Sequence, residues 1–141
     1  LDLFAGSGAL GFEAVSRGAA SATLVERSRP ALSCIRANVS ALGMEDVVRV
    51  VAGDWTAALA AEARAGRAFG LCLCDPPYSL TDRVSAQLGA LLEPLVAAPG
   101  IVVIEHSAAR PPPEPSGLEI VSRTDRTYGD TAVSVMRVVR P

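Results

Sequence analysis

Leu1-Asp2-Leu3-Phe4-Ala5-Gly6-Ser7-Gly8-Ala9-Leu10-Gly11 is an apolar run halted by a glycine turn and followed by helix-forming residues. That order predicts a short strand, a tight turn and a helix from about Ala9 to Arg17, closed by Gly18. The same punctuation recurs downstream. Ala22–Val25 reads as a second strand ending at Glu26, and Pro30 suits the first turn of a helix. The apolar stripe of that helix is Leu32, Ile35, Val39 and Leu42, spaced 3, 4 and 3, before Gly43 ends it. Val47–Ala52 is a third strand, Ala57–Ala65 a helix, and Phe69–Cys74 a fourth strand ending at Asp75-Pro76-Pro77-Tyr78. A helix from about Asp82 carries Val84, Leu88, Leu91, Leu92 and Leu95 on one face, and Ile101–Ile104 is a fifth strand. Pro111 to Gly117 is an irregular connection. Glu119–Thr124 and Ala132–Val139 flank Tyr128-Gly129-Asp130 and read as a β-hairpin.

Strands that alternate with helices and are apolar throughout belong to a parallel sheet covered on both faces. The expected fold class is therefore α/β, a mostly parallel seven-stranded sheet with a C-terminal antiparallel hairpin. Such sheets bind ligands at the carboxyl ends of their strands. Gly6, Gly8, Glu26, Asp54 and Asp75 to Tyr78 all fall there.

Composition narrows the possibilities further. The 141 residues are expected to form one domain, and a chain of this size buries about two-thirds of its unfolded surface. Half the residues are hydrophobic and the mean hydropathy is +0.32, which argues against disorder. The long apolar stretch Leu91–Ile104 is broken by Glu93, Pro94 and Pro99, so no membrane span is expected. No basic segment followed by an apolar run opens the chain, which argues against a signal peptide. Cys34, Cys72 and Cys74 are an odd set that reads as reduced thiols, and the expected compartment is the cytoplasm. With His106 as the single histidine, no metal site is expected. The net charge is −2, and all 13 basic residues are arginine, a balance that does not by itself suggest a nucleic-acid partner.

Gly6-Ser7-Gly8-Ala9-Leu10-Gly11 fits G-x-G-x-x-G, with Glu26 lying 20 residues after Gly6, and the first reading is a nicotinamide dinucleotide site. Asp2 discriminates. A carboxylate beside the turn repels a pyrophosphate but attracts the sulfonium and ammonium groups of S-adenosylmethionine. Glu26 suits the ribose hydroxyls of either cofactor. Asp54 can accept from an adenine amino group while Trp55 covers the ring, and Asp54 can also cap the helix that follows. The expected cofactor-binding set is Asp2, Phe4, Ala5, Gly6, Ser7, Gly8, Glu26, Arg27, Asp54, Trp55 and Asp75.

Asp75-Pro76-Pro77-Tyr78 is the most specific stretch. The prolines stiffen the backbone so that the Asp75 carboxylate and the Pro76 carbonyl point at one place. Two acceptors aimed together suit an amino group with two N–H donors, and Tyr78 offers a ring on which a planar base stacks. The expected catalytic set is Asp75, Pro76, Pro77 and Tyr78.

Together these motifs resemble the class I S-adenosylmethionine-dependent methyltransferases that act on exocyclic amino groups. Leu1 to Gly11 with Glu13-Ala14 and Ser16-Arg17-Gly18-Ala19 is similar to the RsmD group, the bacterial 16S ribosomal RNA guanine-N2 methyltransferases. Val25-Glu26, Asn38, Asp75 to Tyr78, Glu105-His106 and Tyr128-Gly129-x-Thr131 follow that group in order. The resemblance implies a Rossmann-like fold and S-adenosylmethionine as cofactor. Its implied partner is small-subunit ribosomal RNA within an assembled or partly assembled subunit, and a monomer is expected. It also implies an upstream segment, so residues 1–141 are expected to be a single, N-terminally truncated methyltransferase domain.

His106 is expected to be a hydrogen-bonded structural residue and Glu105 an acid at the surface or behind the site, and neither belongs to the expected catalytic set. Arg27, Arg29, Arg36, Arg123 and Arg126 are candidates to face phosphate, and the hairpin with Tyr128 is favoured among them. Two enzyme alternatives stay open: methylation of adenine N6 or cytosine N4 in DNA, and a nicotinamide-dependent oxidoreductase. A methyltransferase-like binding module is a third reading.

Overall fold

The computed structural model describes the backbone of residues 1–141 and every side chain except those of Thr81 and Ser85. The chain divides into two compact units, Leu1–Ala58 and Leu59–Pro141.

In the first unit the strands β1 (Asp2–Leu3), β2 (Ala22–Glu26) and β3 (Val48–Ala52) run parallel, with β2 between the other two. The helices α1 (Ala9–Ser16) and α2 (Arg29–Leu42) connect them. The first four residues of β2 are all buried, as a strand covered on both faces requires. The core is Phe12, Ala22, Leu24, Ile35, Val39 and Val48. Pro30 lies in the first turn of α2 as expected, and Gly43 ends the helix in the left-handed conformation at φ 63°. The stripe of α2 is shorter than predicted. Leu32, Ile35 and Val39 are buried, but Leu42, the last residue of the helix, is 55% exposed.

In the second unit β4 (Phe69–Cys74) pairs parallel with β5 (Val96–Ser107), and β5 pairs antiparallel with β7 (Thr131–Val139). β6 (Glu119–Tyr128) completes the hairpin with β7 and forms the sheet edge. The seven predicted strands are thus all present. β5 begins earlier than the sequence suggests and β6 ends later. The polar residues Asp125 to Tyr128 hide a strand whose pairing is carried by backbone rather than by apolar side chains. A further helix, α3 (Trp55–Arg64), precedes β4. Val84, Leu88 and Leu92 of α4 (Thr81–Leu92) are buried, as are Leu95, Val102, Ile104, Met136 and Val138. The proline-rich connection passes close to α4, where a Cβ on Gly89 would meet the Glu114 carbonyl. No helix among the described residues is long and apolar enough to cross a membrane.

Candidate active site

The turn after β1 is built by backbone conformations that few residues adopt. Phe4, Gly6 and Gly8 all have positive φ, at 61°, 57° and 85°. For Phe4 this is a strained value of the kind that concentrates where chains bind ligands. The turn is tied by Ala5 N–H to the Val25 carbonyl at 3.1 Å and by Gly8 N–H to the Ala5 carbonyl at 2.7 Å.

The three motif glycines serve different purposes. A Cβ on Gly6 would meet nothing within 4 Å. A Cβ on Gly8 would lie 2.6 Å from the Phe12 ring, and one on Gly11 would lie 2.9 Å from Leu24. Gly6 leaves open space on the turn, whereas Gly8 and Gly11 let α1 approach the sheet.

Two carboxylates organise this turn. Asp2 is buried, and its Oδ2 accepts the Gly11 amide at 3.0 Å. Glu26 is half-buried at the end of β2. Its Oε2 accepts from the Gly6 amide at 2.9 Å, and its Oε1 accepts from the amides of Arg27 and Ser28 at 2.7 and 2.8 Å. The Glu26 carboxylate therefore positions both the glycine turn and the entry to α2. Arg27 and Ser7 are exposed, and Ala5 is half-buried. Asn38 of α2 donates from Nδ2 to the Ser7 carbonyl at 3.1 Å. Its position in the family motif drew attention to it, but only the fold reveals this contact with the turn.

Asp54 does cap α3. Its Oδ1 accepts the Thr56 amide at 3.0 Å and also meets the Thr56 hydroxyl, while its carbonyl accepts the Ala58 amide. Trp55 is 2% exposed and packs against Phe4 with ring centroids 5.8 Å apart. Its indole N–H has no hydrogen-bond partner among the described residues.

Asp75 to Tyr78 forms the second group. Asp75 is exposed at the end of β4, yet partial burial by its surroundings pushes its carboxyl above the usual range. The Glu105 carboxyl is also raised, first by burial and then by the Asp75 charge. Pro76 is half-buried and Pro77 exposed, and the Pro77 carbonyl accepts the Leu80 amide at 2.9 Å. Tyr78 is 78% exposed, with its Oη 3.3 Å from Thr131 Oγ1. Nothing in the local sequence announces Thr131 as the partner of Tyr78, because 53 residues separate them.

His106 lies in a hydrogen-bonded network. Its Nε2 is 2.8 Å from Ser134 Oγ, and Ser134 donates to Asp125 at 2.6 Å. Asp125 in turn pairs with Arg123. Cys72 and Cys74 are buried in β4, and burial pushes the Cys72 thiol up to about 11. No cluster suited to a metal ion occurs among the described residues.

Residues 1–137 match the sequence model of the family described as Conserved hypothetical protein 95. The provisionally named rRNA methyltransferase YlbH of Bacillus subtilis (strain 168) is 34% identical over 97% of this chain and 74% of its own length. Ribosomal RNA small subunit methyltransferase D of Escherichia coli (strain K12) is 41% identical over 55% of this chain and 37% of its own. The tRNA1(Val) (adenine(37)-N6)-methyltransferase of Shewanella amazonensis is 40% identical over 63% and 37%.

A solved Streptococcus pyogenes protein, described as conserved and hypothetical, has a TM-score of 0.78 and 30% identity, covering 99% of this chain and 84% of its own. The S-adenosylmethionine-dependent methyltransferase of Agrobacterium tumefaciens has a TM-score of 0.74 at 17% identity, covering 96% and 54%, and shares the fold. The fold is the mostly parallel, Rossmann-like fold of these methyltransferases, and the cofactor it implies is S-adenosylmethionine. The glycine turn fits that group. Gly6 leaves open space beside the Glu26 carboxylate, and the buried Trp55 N–H has no acceptor among the described residues.

Proposed function

The chain belongs to the Conserved hypothetical protein 95 family, which includes the RsmD methyltransferases, and on that premise we propose that it methylates the exocyclic N2 amino group of a guanine in small-subunit (16S) ribosomal RNA. The observation that carries the reading is Asp75-Pro76-Pro77-Tyr78 at the end of β4, with Tyr78 exposed for stacking.

In this reading Phe4 to Gly8, Glu26, Arg27, Asp54 and Trp55 hold S-adenosylmethionine, with Asp2 as a fixed negative charge beneath the turn. S-adenosylmethionine supplies a methyl group already activated by its sulfonium. The residues of β4 therefore need to orient more than to activate. The Asp75 carboxylate and the Pro76 carbonyl accept the two amino hydrogens and draw the nitrogen lone pair out of conjugation with the ring. Tyr78 stacks on a base turned out of the RNA. Asp75, whose carboxyl is raised, then takes the surplus proton. The substrate is an assembled or partly assembled small subunit in the cytoplasm, and residues 1–141 act as one methyltransferase domain of a monomer.

The likeness to an adenine-N6 methyltransferase favours a second reading, an adenine amino group as acceptor. Labelled methyl transfer offered separately to small subunits lacking the modification, to tRNA and to DNA, followed by mapping of the modified nucleotide, decides between them. Label on a guanine N2 supports the proposal, label on an adenine supports the second reading, and label only in DNA or nowhere refutes both.

A further inference from the structure

The hairpin β6–β7 has two unlike faces, and we propose that one of them is a docking surface for the single-stranded RNA flanking the target nucleotide. The inference rests on the proposed RNA methylation and deepens the expectation that the hairpin faces phosphate, by assigning the contact to one face and setting Arg123 apart from it.

Register fixes the faces. Tyr128 lies opposite Thr131, Arg126 opposite Val133, Thr124 opposite Val135, and Ser122 opposite Arg137. Side chains two apart share a face, so Tyr128, Arg126, Thr124 and Ser122 stand beside Thr131, Val133, Val135 and Arg137. This face has two arginines, four hydroxyl-bearing residues and no carboxylate between Ser122 and Tyr128 or between Thr131 and Arg137. Two acids border this face: Glu119, opposite Val139 and diagonal to Arg137, and Glu105 of β5, which pairs with Val133 on the side away from Arg126, about 10 Å from it across two strand spacings.

The opposite face carries Asp125 and Arg123. Arg123 is already engaged there by Asp125 and Glu114, at 2.8 and 3.4 Å. Neither Arg126 nor Arg137 forms an ion pair or a side-chain hydrogen bond among the described residues. The free positive charge of the hairpin is thus gathered on one face, complementary to a polyanion.

An aromatic ring on that face makes the polyanion a nucleic acid with accessible bases. Tyr128 is 62% exposed and sits directly opposite Thr131, the residue whose hydroxyl meets Tyr78 Oη at 3.3 Å. The two tyrosines therefore flank one threonine. If Tyr78 stacks on the target base, Tyr128 is placed to stack on an adjacent one, with Arg126 two residues along the strand facing the intervening phosphate.

The test compares wild type with Arg126→Ala, Tyr128→Ala, Tyr128→Phe and Arg123→Gln. Folding of each is checked by thermal melting. Binding to a single-stranded RNA oligonucleotide bearing the target sequence is titrated at several salt concentrations, and methyl transfer to small subunits is measured in parallel. Arg126→Ala is expected to weaken binding and flatten the slope of log affinity against log salt by about 0.7, the contribution of one phosphate contact on a single strand. Tyr128→Ala is expected to weaken binding roughly tenfold, with Tyr128→Phe close to wild type, because stacking needs the ring and not the hydroxyl. Both losses should appear in KM rather than kcat, since flanking contacts are the same in ground and transition states. Arg123→Gln should bind as wild type does.

If wild type labels the RNA but Arg126→Ala and Tyr128→Ala bind and turn over unchanged, the docking surface is overturned and the proposed function stands. An equal loss in Arg123→Gln overturns the assignment of faces. If wild type labels no RNA, both fall together.

Discussion

The amide of Gly11 in α1 donates to Asp2 Oδ2 in β1 at 3.0 Å, in a place where Asp2 is only 2% exposed. One carboxylate therefore fixes the helix to the strand and also places a negative charge beneath the glycine turn. The two duties separate by substitution. Asp2→Ala leaves the Gly11 amide without this acceptor and is expected to lower stability by about 1–3 kcal/mol. Asp2→Asn keeps an acceptor oxygen and removes the charge. It is expected to weaken S-adenosylmethionine more than S-adenosylhomocysteine, which lacks the sulfonium charge. Calorimetry with the two ligands checks this, and equal losses would show that the charge does not reach the ligand.

Gly6 and Gly8 should answer alanine differently. Both have positive φ, so each substitution carries a backbone cost of about 1 kcal/mol. At Gly8 the new methyl would also lie 2.6 Å from the Phe12 ring, adding about 1–3 kcal/mol of overpacking. At Gly6 it would enter open space. Urea unfolding should rank Gly8→Ala well below Gly6→Ala, whereas cofactor titration should find Gly6→Ala impaired while still folded.

These two glycines also mark what the sequence could disclose. Apolar runs ending at Phe4, Val25 and Cys74 foretold the strands and the glycine or polar residues beyond their ends, since strand burial and turn chemistry are local properties. The motif did not reveal that Gly8 serves packing while Gly6 leaves space, because Phe12 lies on the following helix and only the fold brings it over the turn. Nor did it reveal that Glu26 is engaged by three backbone amides or that the Trp55 ring packs against Phe4. The end of strand β6 is hidden from the sequence for the opposite reason. Its last residues are polar, and their pairing resides in the backbone.

Asp75 should trade stability for activity. Its carboxyl is raised above the ordinary 3.8 by burial, so the folded protein binds its proton more tightly than the unfolded chain does. Stability from this group is therefore highest at low pH and falls as pH rises from the unfolded value through the folded one. Asp75→Asn is expected to melt at a higher temperature than wild type at neutral pH, with the advantage vanishing below about pH 4. The same protein should lose methyl transfer while still binding S-adenosylhomocysteine. A melting curve unchanged at neutral pH would contradict the burial cost, and retained activity would contradict the proposed role.

Asp125 should show the reverse dependence. Hydrogen bonds from Arg123 and Ser134 hold its carboxyl down at about 2, against an ordinary 3.8. Its contribution is fully present above the unfolded value and is lost as pH falls through the folded one. The difference in melting temperature between wild type and Asp125→Asn should be constant near neutrality and shrink between about pH 4 and pH 2. A difference that stays constant through that window would show that the carboxylate is not held by these partners.

The position of β6 at the sheet edge carries a cost unrelated to catalysis. Ten residues, Glu119–Tyr128, present one side of their backbone to solvent, and such a row can template pairing with another molecule. The irregular register between Ile120 and Ser122 interrupts that row, and Arg123, Asp125 and Arg126 place charges along the rest. Val121, at that irregularity, is exposed at 53%. The arginine assigned to the nucleic acid is thus also one of the charges that keep two copies of the hairpin apart. Replacing the charges of this strand with apolar residues is expected to make the protein aggregate with rising concentration.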